Sequence, residues 1–381
     1  MSENSDFVRQ IQQNSLKQRV PFWIKVRVDP WLLVLLLTLT TLGLFVLYSA
    51  SEAGLPAVKR QAVYFILGYM VMLVMAQIPM LFYRRITISL YFVGLILLVL
   101  VLINGIGAKG AKRWLVIPGV MSFQPSELLK LAVPMMMAWF LAKKRLPPRF
   151  GVTLISLLLI FLPAGLIGLQ PDLGTAILIA SSGLFVLFLS GINYWYISFS
   201  LVGIVSAAYP IWEFILRDYQ KGRILTLFNP ERDPFGAGWN IIQSKTAIGS
   251  GGFWGKGWLQ GTQSQLNFLP ESHTDFIIAT YSEEFGLLGV MLLLMLYFLI
   301  IARCLIIAWV ASTHFNKLLA GSLTLTFFVY IFVNIGMVSG ILPVVGVPLP
   351  LISRGGTSIV TLMAGFGLLM AIAADKQQFS R

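Results

Sequence analysis

Three short polar stretches lie beside or inside long apolar runs of this chain, and they contain the residue types that could do chemistry. They are residues 124–130 with Glu127 and Lys130, residues 170–175 with Asp172, and residues 270–276 with Asp275. An ionisable side chain in lipid is costly unless it is paired or faces a water-filled cavity. Each stretch is therefore a candidate functional site.

The first stretch predicts an ion pair. Glu127 and Lys130 are three residues apart, so they share one face of a helix. Ser126 is predicted to cap that helix, and Glu127 near its amino end also interacts favourably with the helix dipole. The pair either holds the helix in register or lines a polar cavity, and the sequence leaves both interpretations open.

The other two stretches carry carboxylates next to apolar runs. Asp172 lies in a turn between two runs and either caps the following helix or belongs to a site. Asp275 directly precedes a run and either caps a helix or acts as a catalytic base at the outer face. Glu271, His273 and Asp275 also suggest a metal site, but one histidine with two carboxylates is weak support for zinc.

The elements that position these residues are predicted to be transmembrane helices. The 381 residues are 57% hydrophobic and only 11% charged, whereas soluble proteins have about 25% charged residues. A span needs about 20 apolar residues, and its backbone must be helical because lipid offers no water to bond. The fold class is therefore all-α, a polytopic membrane helix bundle. The ten predicted spans are 31–50, 62–78, 86–104, 127–142, 152–169, 173–190, 194–215, 276–302, 318–341 and 357–374.

Lys and Arg residues at the ends of the spans set the predicted orientation. Most of them fall on one side if ten spans are counted, which places both termini in the cytoplasm. The predicted organisation is a cytoplasmic arm (1–30), a single transmembrane domain (31–375) with a large extracytoplasmic loop (216–275), and a cytoplasmic tail (376–381). The arm either lies on the membrane surface or is a solvated tail. Cys304 is predicted to be a packed thiol.

The predicted outer side nevertheless carries positive charge. The net charge is +13, but the basic residues do not cluster on a soluble domain, so nucleic acid binding is rejected. Arg suits bidentate contacts to phosphate, and Lys suits point-charge contacts. The outer cations are predicted either to bind phosphate or to be solvated or in contact with lipid headgroups. They include Lys112 and Arg113 of the short loop 105–126, and Arg217, Arg223 and Lys245 of the long loop, which looks structured.

Taken together, these stretches resemble the SEDS family, the shape, elongation, division and sporulation proteins, and in particular its members from the elongation machinery. The resemblance spans residues 30–375. One departure is Arg354, where the family usually has an aromatic residue. The matching stretches are 109–114, 124–127, 170–175, 233–238, 243–244, 261–265, 270–276, 334–338 and 348–353.

This resemblance implies a peptidoglycan glycosyltransferase of the bacterial cytoplasmic membrane with an extracytoplasmic active site. Its substrate is lipid II, a disaccharide pentapeptide on undecaprenyl diphosphate, which it polymerises into β-1,4 glycan strands for cell elongation and rod shape. The family's catalytic aspartate falls on Asp275, its functional tryptophan on Trp114, and its Glu and Lys pair on Glu127 and Lys130. The implied partners are a class B penicillin-binding protein that supplies transpeptidation, other proteins of the elongation complex, and membrane lipids.

The residues suit this reaction. Transfer from an anomeric diphosphate needs one base for the proton of the attacking 4-hydroxyl and positive charge for the departing diphosphate. It needs no general acid, unlike glycoside hydrolysis. The predicted substrate contacts are Lys112, Arg113, Trp114, Glu127, Lys130, Asp172, Arg217, Arg223, Lys245, Ser272 and His273.

Three points stay open in the sequence. No cofactor is required, although a divalent cation, Mg²⁺ or Mn²⁺, at the lipid diphosphate is compatible with the chemistry. The first alternative function is a flippase that moves lipid II across the bilayer, which would need polar groups through the full depth of the bundle. The second is a non-catalytic scaffold for wall-synthesis enzymes.

Overall fold

The computed structural model describes residues 26–51, 54–108, 111–117, 121–216, 218–233, 236–265 and 272–379. The amino-terminal arm before residue 26, with its two predicted placements, lies outside these residues. Most of the described chain is helical. The helices are α1 (Pro30–Ala50), α2 (Leu55–Gln77), α3 (Met80–Asn104), α4 (Pro125–Ala142), α5 (Phe150–Leu169), α6 (Leu173–Leu189), α7 (Tyr194–Pro210), α8 (Asp218–Phe228), α9 (Ala237–Gly251), α10 (Thr262–Gln265), α11 (Ile277–Val310), α12 (His314–Val338) and α13 (Thr357–Phe379).

Seven of the described helices are long and apolar enough to cross a membrane, namely α1, α2, α3, α5, α11, α12 and α13. The all-α membrane fold class is confirmed, and the protein is a membrane protein. The other three predicted spans are also helices, but they are shorter. Helix α4 has 18 residues, and Glu127 and Lys130 make its amino end polar. Helices α6 and α7 have 17 residues each, and α7 continues into a π-helical turn, Ile211–Ile215.

The beginning of α1 and the end of α13 lie at the same end of the bundle. Asp29 caps α1 and accepts bonds from Arg303 of α11, with Nη2 to Oδ2 at 2.6 Å and Nε to Oδ1 at 3.1 Å. Asn316, in the first turn of α12, donates to Asp375 of α13 at 3.0 Å. Because α11 runs directly into α12, these contacts bring four helix ends together.

Packing within the bundle relies on buried side chains and on hydrogen bonds between helices. Helix α2 lies along α13, α11 along α12, and α5 along α6. The Ser322 hydroxyl of α12 donates to the carbonyl of Ser182 in α6 at 2.6 Å, and Tyr297 of α11 donates to the carbonyl of Pro350 at 2.7 Å. Each such bond contributes about 0.6 kcal/mol inside a membrane. Cys304 is buried, as predicted.

The short loop between α3 and α4 forms an antiparallel sheet of three strands. The strands are β1 (Ile106–Ala108), β2 (Ala111–Ile117) and β3 (Met121–Phe123), in the order β1-β2-β3. Trp114 pairs with Ile106, and Leu115 pairs with Phe123. From the sequence this region is predicted only as a loop, because its strands are too short to show a clear alternation.

The described part of the long segment 216–275 is structured, as expected, and some of it inserts into a break in α11. The helix is interrupted at Gly286, whose φ of 63° and ψ of −164° suit a glycine. The carbonyls of Glu283 and Glu284 accept from the N–H groups of Lys256 and Gly257, both at 3.0 Å. The N–H of Leu287 in turn donates to the carbonyl of Gly252 at 3.0 Å. The inserted segment therefore satisfies backbone groups that the break would leave bare.

Candidate functional site

An open cavity of about 550 Å³ lies at one end of the bundle, opposite the end where α1 begins and α13 ends. The sheet forms one wall, the amino ends of α4 and α6 form a second, and the loop between α12 and α13 forms a third. Its described lining residues are Tyr64, Arg113, Trp114, Gln124, Glu127, Lys130, Asp172, Thr175, Leu178, Tyr330, Gly346, Val347, Pro348, Gly356, Thr357 and Ser358.

The predicted pair of Glu127 and Lys130 is confirmed, and it lines this cavity. The Lys130 Nζ atom lies 2.6 Å from Glu127 Oε1, and both side chains are mostly buried. Lys130 Nζ also lies 5.5 Å from the centre of the Tyr330 ring. Of the two interpretations that the sequence left open, the structure supports both, because the pair joins one turn of α4 and faces the cavity.

The prediction that Ser126 caps α4 is wrong. The N-cap residue is Gln124, which makes no capping bond through its side chain, and the helix begins at Pro125. Proline is favoured at the first helical position because its φ is already helical and its missing N–H has no partner there. Ser126 is therefore buried in the first turn rather than at its boundary.

Asp172 both caps a helix and belongs to the site. Its Oδ1 atom accepts from the N–H of Thr175 at 3.3 Å, as the N-cap residue of α6. Its Oδ2 atom lies 3.5 Å from Arg113 Nε. Arg113 also donates from Nη2 to the carbonyl of Pro171 at 3.0 Å. These contacts hold the guanidinium of Arg113, a residue of β2, against the start of α6. The Arg113 side chain is still 37% exposed.

Asp275 lies in the turn that precedes α11 and is not itself among the described residues that line the cavity. The N-cap residue of α11 is Phe276, which makes no capping bond through its side chain, so the prediction of Asp275 as a helix cap is wrong. The cavity-lining residue Gly346 has a φ of +76°, and a Cβ atom there would lie 3.4 Å from Asp275 Oδ2. The Asp275 carboxylate is therefore in van der Waals reach of the lining loop.

A buried asparagine connects these two parts of the site. Asn334 of α12 has no exposed surface, and its Nδ2 atom donates to the carbonyls of Asp275 at 2.9 Å and Val347 at 2.7 Å. Asn334 is not among the site residues predicted from the sequence, although it is a polar residue inside a predicted span and begins the family stretch 334–338. Both features are signals that could have identified it. Tyr64 and Tyr330 were missed because tyrosine in a span is not unusual.

Four of the predicted contacts are not among the described lining residues. The Ser272 hydroxyl donates to the carbonyl of Ala50 at 3.2 Å, and the His273 carbonyl accepts from the N–H of Arg354 at 3.0 Å. Arg223 is on the exposed surface of α8. Lys245 of α9 has its ammonium beside Gly340, just after α12 ends, where a cation interacts favourably with the helix dipole.

Some predictions fall on parts of the chain that the structure leaves undescribed. Arg217, Glu271 and the side chain of Lys112 lie outside it. Within the described residues, no group of three His, Cys, Asp or Glu side chains is arranged to hold a metal ion. The segment with Arg354 is fixed through Gln61, whose amide donates to the carbonyl of Ser353 at 3.0 Å and accepts from the N–H of Gly355 at 3.2 Å.

Comparisons with known proteins match nearly the whole chain. The family model FTSW_RODA_SPOVE, described as "Cell cycle protein", matches residues 30–378. The peptidoglycan glycosyltransferase MrdB of Escherichia coli K12 is 52% identical over 361 residues, covering 94% of this chain and 97% of that protein. The probable peptidoglycan glycosyltransferase FtsW of Trichlorobacter lovleyi is 38% identical over 370 residues, covering 93% of this chain and 95% of that protein.

Solved structures agree with these sequence matches. A chain from a structure of a peptidoglycan synthase complex has a TM-score of 0.80 and 30% identity, covering 92% of this chain and 99% of its own length. The crystal structure of the rod shape determining protein RodA from Thermus thermophilus has a TM-score of 0.70 and 28% identity, covering 92% of this chain and 97% of its own length. The predicted resemblance is confirmed: this chain belongs to the FTSW/RODA/SPOVE family of cell cycle proteins.

Proposed function

We propose that this chain is a peptidoglycan glycosyltransferase that polymerises lipid II into β-1,4 glycan strands for cell elongation, with Asp275 as the general base. The observation that carries the proposal is the Asp275 carboxylate beside Gly346, a residue of the loop that lines the same cavity as Arg113, Glu127 and Lys130. The names of the relatives, both described as peptidoglycan glycosyltransferases, support the same reaction.

In the proposed step, the 4-hydroxyl of the acceptor sugar loses its proton to Asp275. The hydroxyl oxygen forms a bond to the anomeric carbon of the donor sugar as the bond from that carbon to the diphosphate oxygen breaks. Undecaprenyl diphosphate leaves with the electron pair, and the anomeric centre changes from α to β. Asp275 then returns its proton to water. Arg113, whose side chain is partly exposed and lines the cavity, is proposed to stabilise the negative charge of the leaving group.

The charges of the described lining residues balance, since Arg113 and Lys130 are matched by Glu127 and Asp172. A diphosphate brings further negative charge, which Lys112 of the same sheet or a divalent cation would offset. Polymerisation measured in EDTA, and again with added Mg²⁺ or Mn²⁺, separates these two sources. Activity that persists in EDTA assigns the role to protein side chains.

The proposed location is the bacterial cytoplasmic membrane, with both termini in the cytoplasm and the cavity on the extracytoplasmic side. The shared end of α1 and α13, near Arg303, supports one location for both termini. The proposed partner is a class B penicillin-binding protein. Support comes from the similar chain whose structure is described as coordinating polymerisation and crosslinking in a peptidoglycan synthase complex, because crosslinking requires transpeptidase chemistry.

The test is an assay of the purified protein with lipid II as the only substrate, alone and with its partner. A glycosyltransferase produces glycan strands and releases undecaprenyl diphosphate. A flippase moves labelled lipid II across vesicle membranes without producing strands, and a scaffold does neither. Failure to form strands in both conditions, with monodisperse protein, would reject the proposal.

A further inference from the structure

We propose that Asn334 is a positioning residue for the glycosyl transfer, which fixes Asp275 against the Gly346–Val347 wall of the cavity. This inference rests on the proposed function of Asp275. Asn334 does not touch the cavity itself, since it is not among the described lining residues and has no exposed surface. Its effect on the reaction would therefore pass through the backbone of the two segments that it joins.

The geometry gives Asn334 a specific role for its amide nitrogen. Among the described residues, the two groups to which Nδ2 donates are backbone carbonyls, those of Asp275 and Val347. Carbonyls only accept hydrogen bonds, so the amide must turn its NH₂ group toward them. One side chain thereby satisfies two acceptors from different segments. In Asn334→Asp, a carboxylate oxygen, which only accepts hydrogen bonds, would face these two carbonyl oxygens, which also only accept.

The two bonded segments carry the chemistry that the proposal needs. The turn 272–276 supplies the Asp275 carboxylate, while residues 346–348 line the cavity. Neither segment belongs to a helix, so no helical bonds of their own hold them in relation to each other. Asn334 lies on the rigid helix α12 and can set the distance between base and substrate. A misplacement of about 1 Å at a reacting group can reduce the rate about 100-fold.

A matched control exists on the same helix. Ser322 is also fully buried in α12 and makes a bond of 2.6 Å to the carbonyl of Ser182 in α6, another helix. Ser322→Ala removes a buried hydrogen bond without touching either segment of the site. If loosening α12 were enough to reduce activity, this variant would lose activity as Asn334→Ala does.

The experiment compares Asn334→Ala, Asn334→Asp and Ser322→Ala in the full-length protein with lipid II, with rates expressed per folded molecule. We expect Asn334→Ala and Asn334→Asp to reduce kcat by about 10- to 100-fold while KM for lipid II changes by less than about twofold. Asn334→Asp keeps the volume of the side chain, so its defect would come from the lost donor. Ser322→Ala is expected to retain wild-type kcat.

If Asn334→Ala does not fold, Asn334→Gln replaces it in the comparison. This variant keeps an NH₂ donor and should therefore lose less activity than Asn334→Asp.

Three results would overturn the inference: an unchanged kcat in the Asn334 variants, an equal loss in Ser322→Ala, or a rise in KM alone. These results leave the proposed function standing if Asp275→Asn is inactive in the same assay. Activity of Asp275→Asn would instead reject the base assignment itself, so the two failures are distinguishable.

Discussion

Gly346 and Asp275 are so close that a Cβ atom added at position 346 would lie 3.4 Å from the Asp275 Oδ2 atom. The φ of Gly346 is +76°, a conformation that costs an L-residue about 1 kcal/mol or more. We therefore expect Gly346→Ala to shift the loop and reduce the polymerisation rate by about tenfold or more. Gly151→Ala is the control, since a Cβ there meets nothing within 4 Å. Equal rates in the two variants would show that this loop does not position the base.

The ion pair in the cavity wall predicts energetic coupling. Either Glu127→Ala or Lys130→Ala leaves a mostly buried charge without its partner, which costs about 3–5 kcal/mol. The double variant should cost less than the sum of the single variants, by about 1 kcal/mol or more. Unfolding free energies of the four proteins in the same detergent measure this difference. Strictly additive losses would mean that the two side chains act independently.

The hydrogen bonds of Glu283 indicate that its carboxylate helps to attach the segment 216–275 to α11. Its fully buried Oε1 atom accepts from Lys256 Nζ at 2.7 Å, the N–H of Thr262 at 2.8 Å and the N–H of Gln263 at 3.1 Å. In Glu283→Gln the amide oxygen can keep the bonds to Oε1, but an NH₂ group replaces Oε2, which accepts from the N–H of Gln263 at 3.2 Å, and the negative charge opposite Lys256 is lost. We expect faster hydrogen exchange in residues 252–263.

The control for this prediction is Glu231→Gln, since Glu231 is an exposed carboxylate in the same segment, 216–275. It should leave hydrogen exchange at 252–263 unchanged. Unchanged exchange in Glu283→Gln as well would show that the backbone bonds to α11 hold the segment without this carboxylate.

We expect the loss of the Arg113 guanidinium to weaken the binding of lipid II. Its side chain is held by Asp172 and the Pro171 carbonyl, yet it lines the cavity and is still partly exposed. A charge-assisted hydrogen bond to phosphate is worth about 1.5–3 kcal/mol, so Arg113→Gln should raise KM for lipid II by about tenfold or more. Arg149→Gln, which removes an exposed cation at the start of α5, serves as the control. A KM for Arg113→Gln equal to that of the control would remove Arg113 from the proposed phosphate contacts.

The sequence predicted the membrane helices and much of the cavity, because both depend on local patterns. Long apolar runs set the helices, and the spacing of Glu127 and Lys130 predicted a pair that the structure contains. A helix cap was one of the two roles predicted for Asp172, because its position in the turn before an apolar run is a local signal.

Contacts between distant segments could not be predicted in the same way. The bonds of Asn334 reach 59 residues back to Asp275 and 13 residues forward to Val347. The break of α11 at Gly286 depends on the insertion of residues 252–257, and a single glycine in an apolar run does not indicate it. The error at Ser126 has a local cause, since Pro125 determines where the helix begins.

The most direct test of the central claim is the rate of glycan polymerisation by Asp275→Asn. The amide has the shape of the carboxylate but cannot take the proton of the acceptor hydroxyl, so we predict correctly folded, monodisperse protein that forms no strands from lipid II. Asp218→Asn, which changes an exposed carboxylate of α8, should polymerise at the wild-type rate. Strand formation by Asp275→Asn at a rate near that of this control would contradict the assignment of Asp275 as the base.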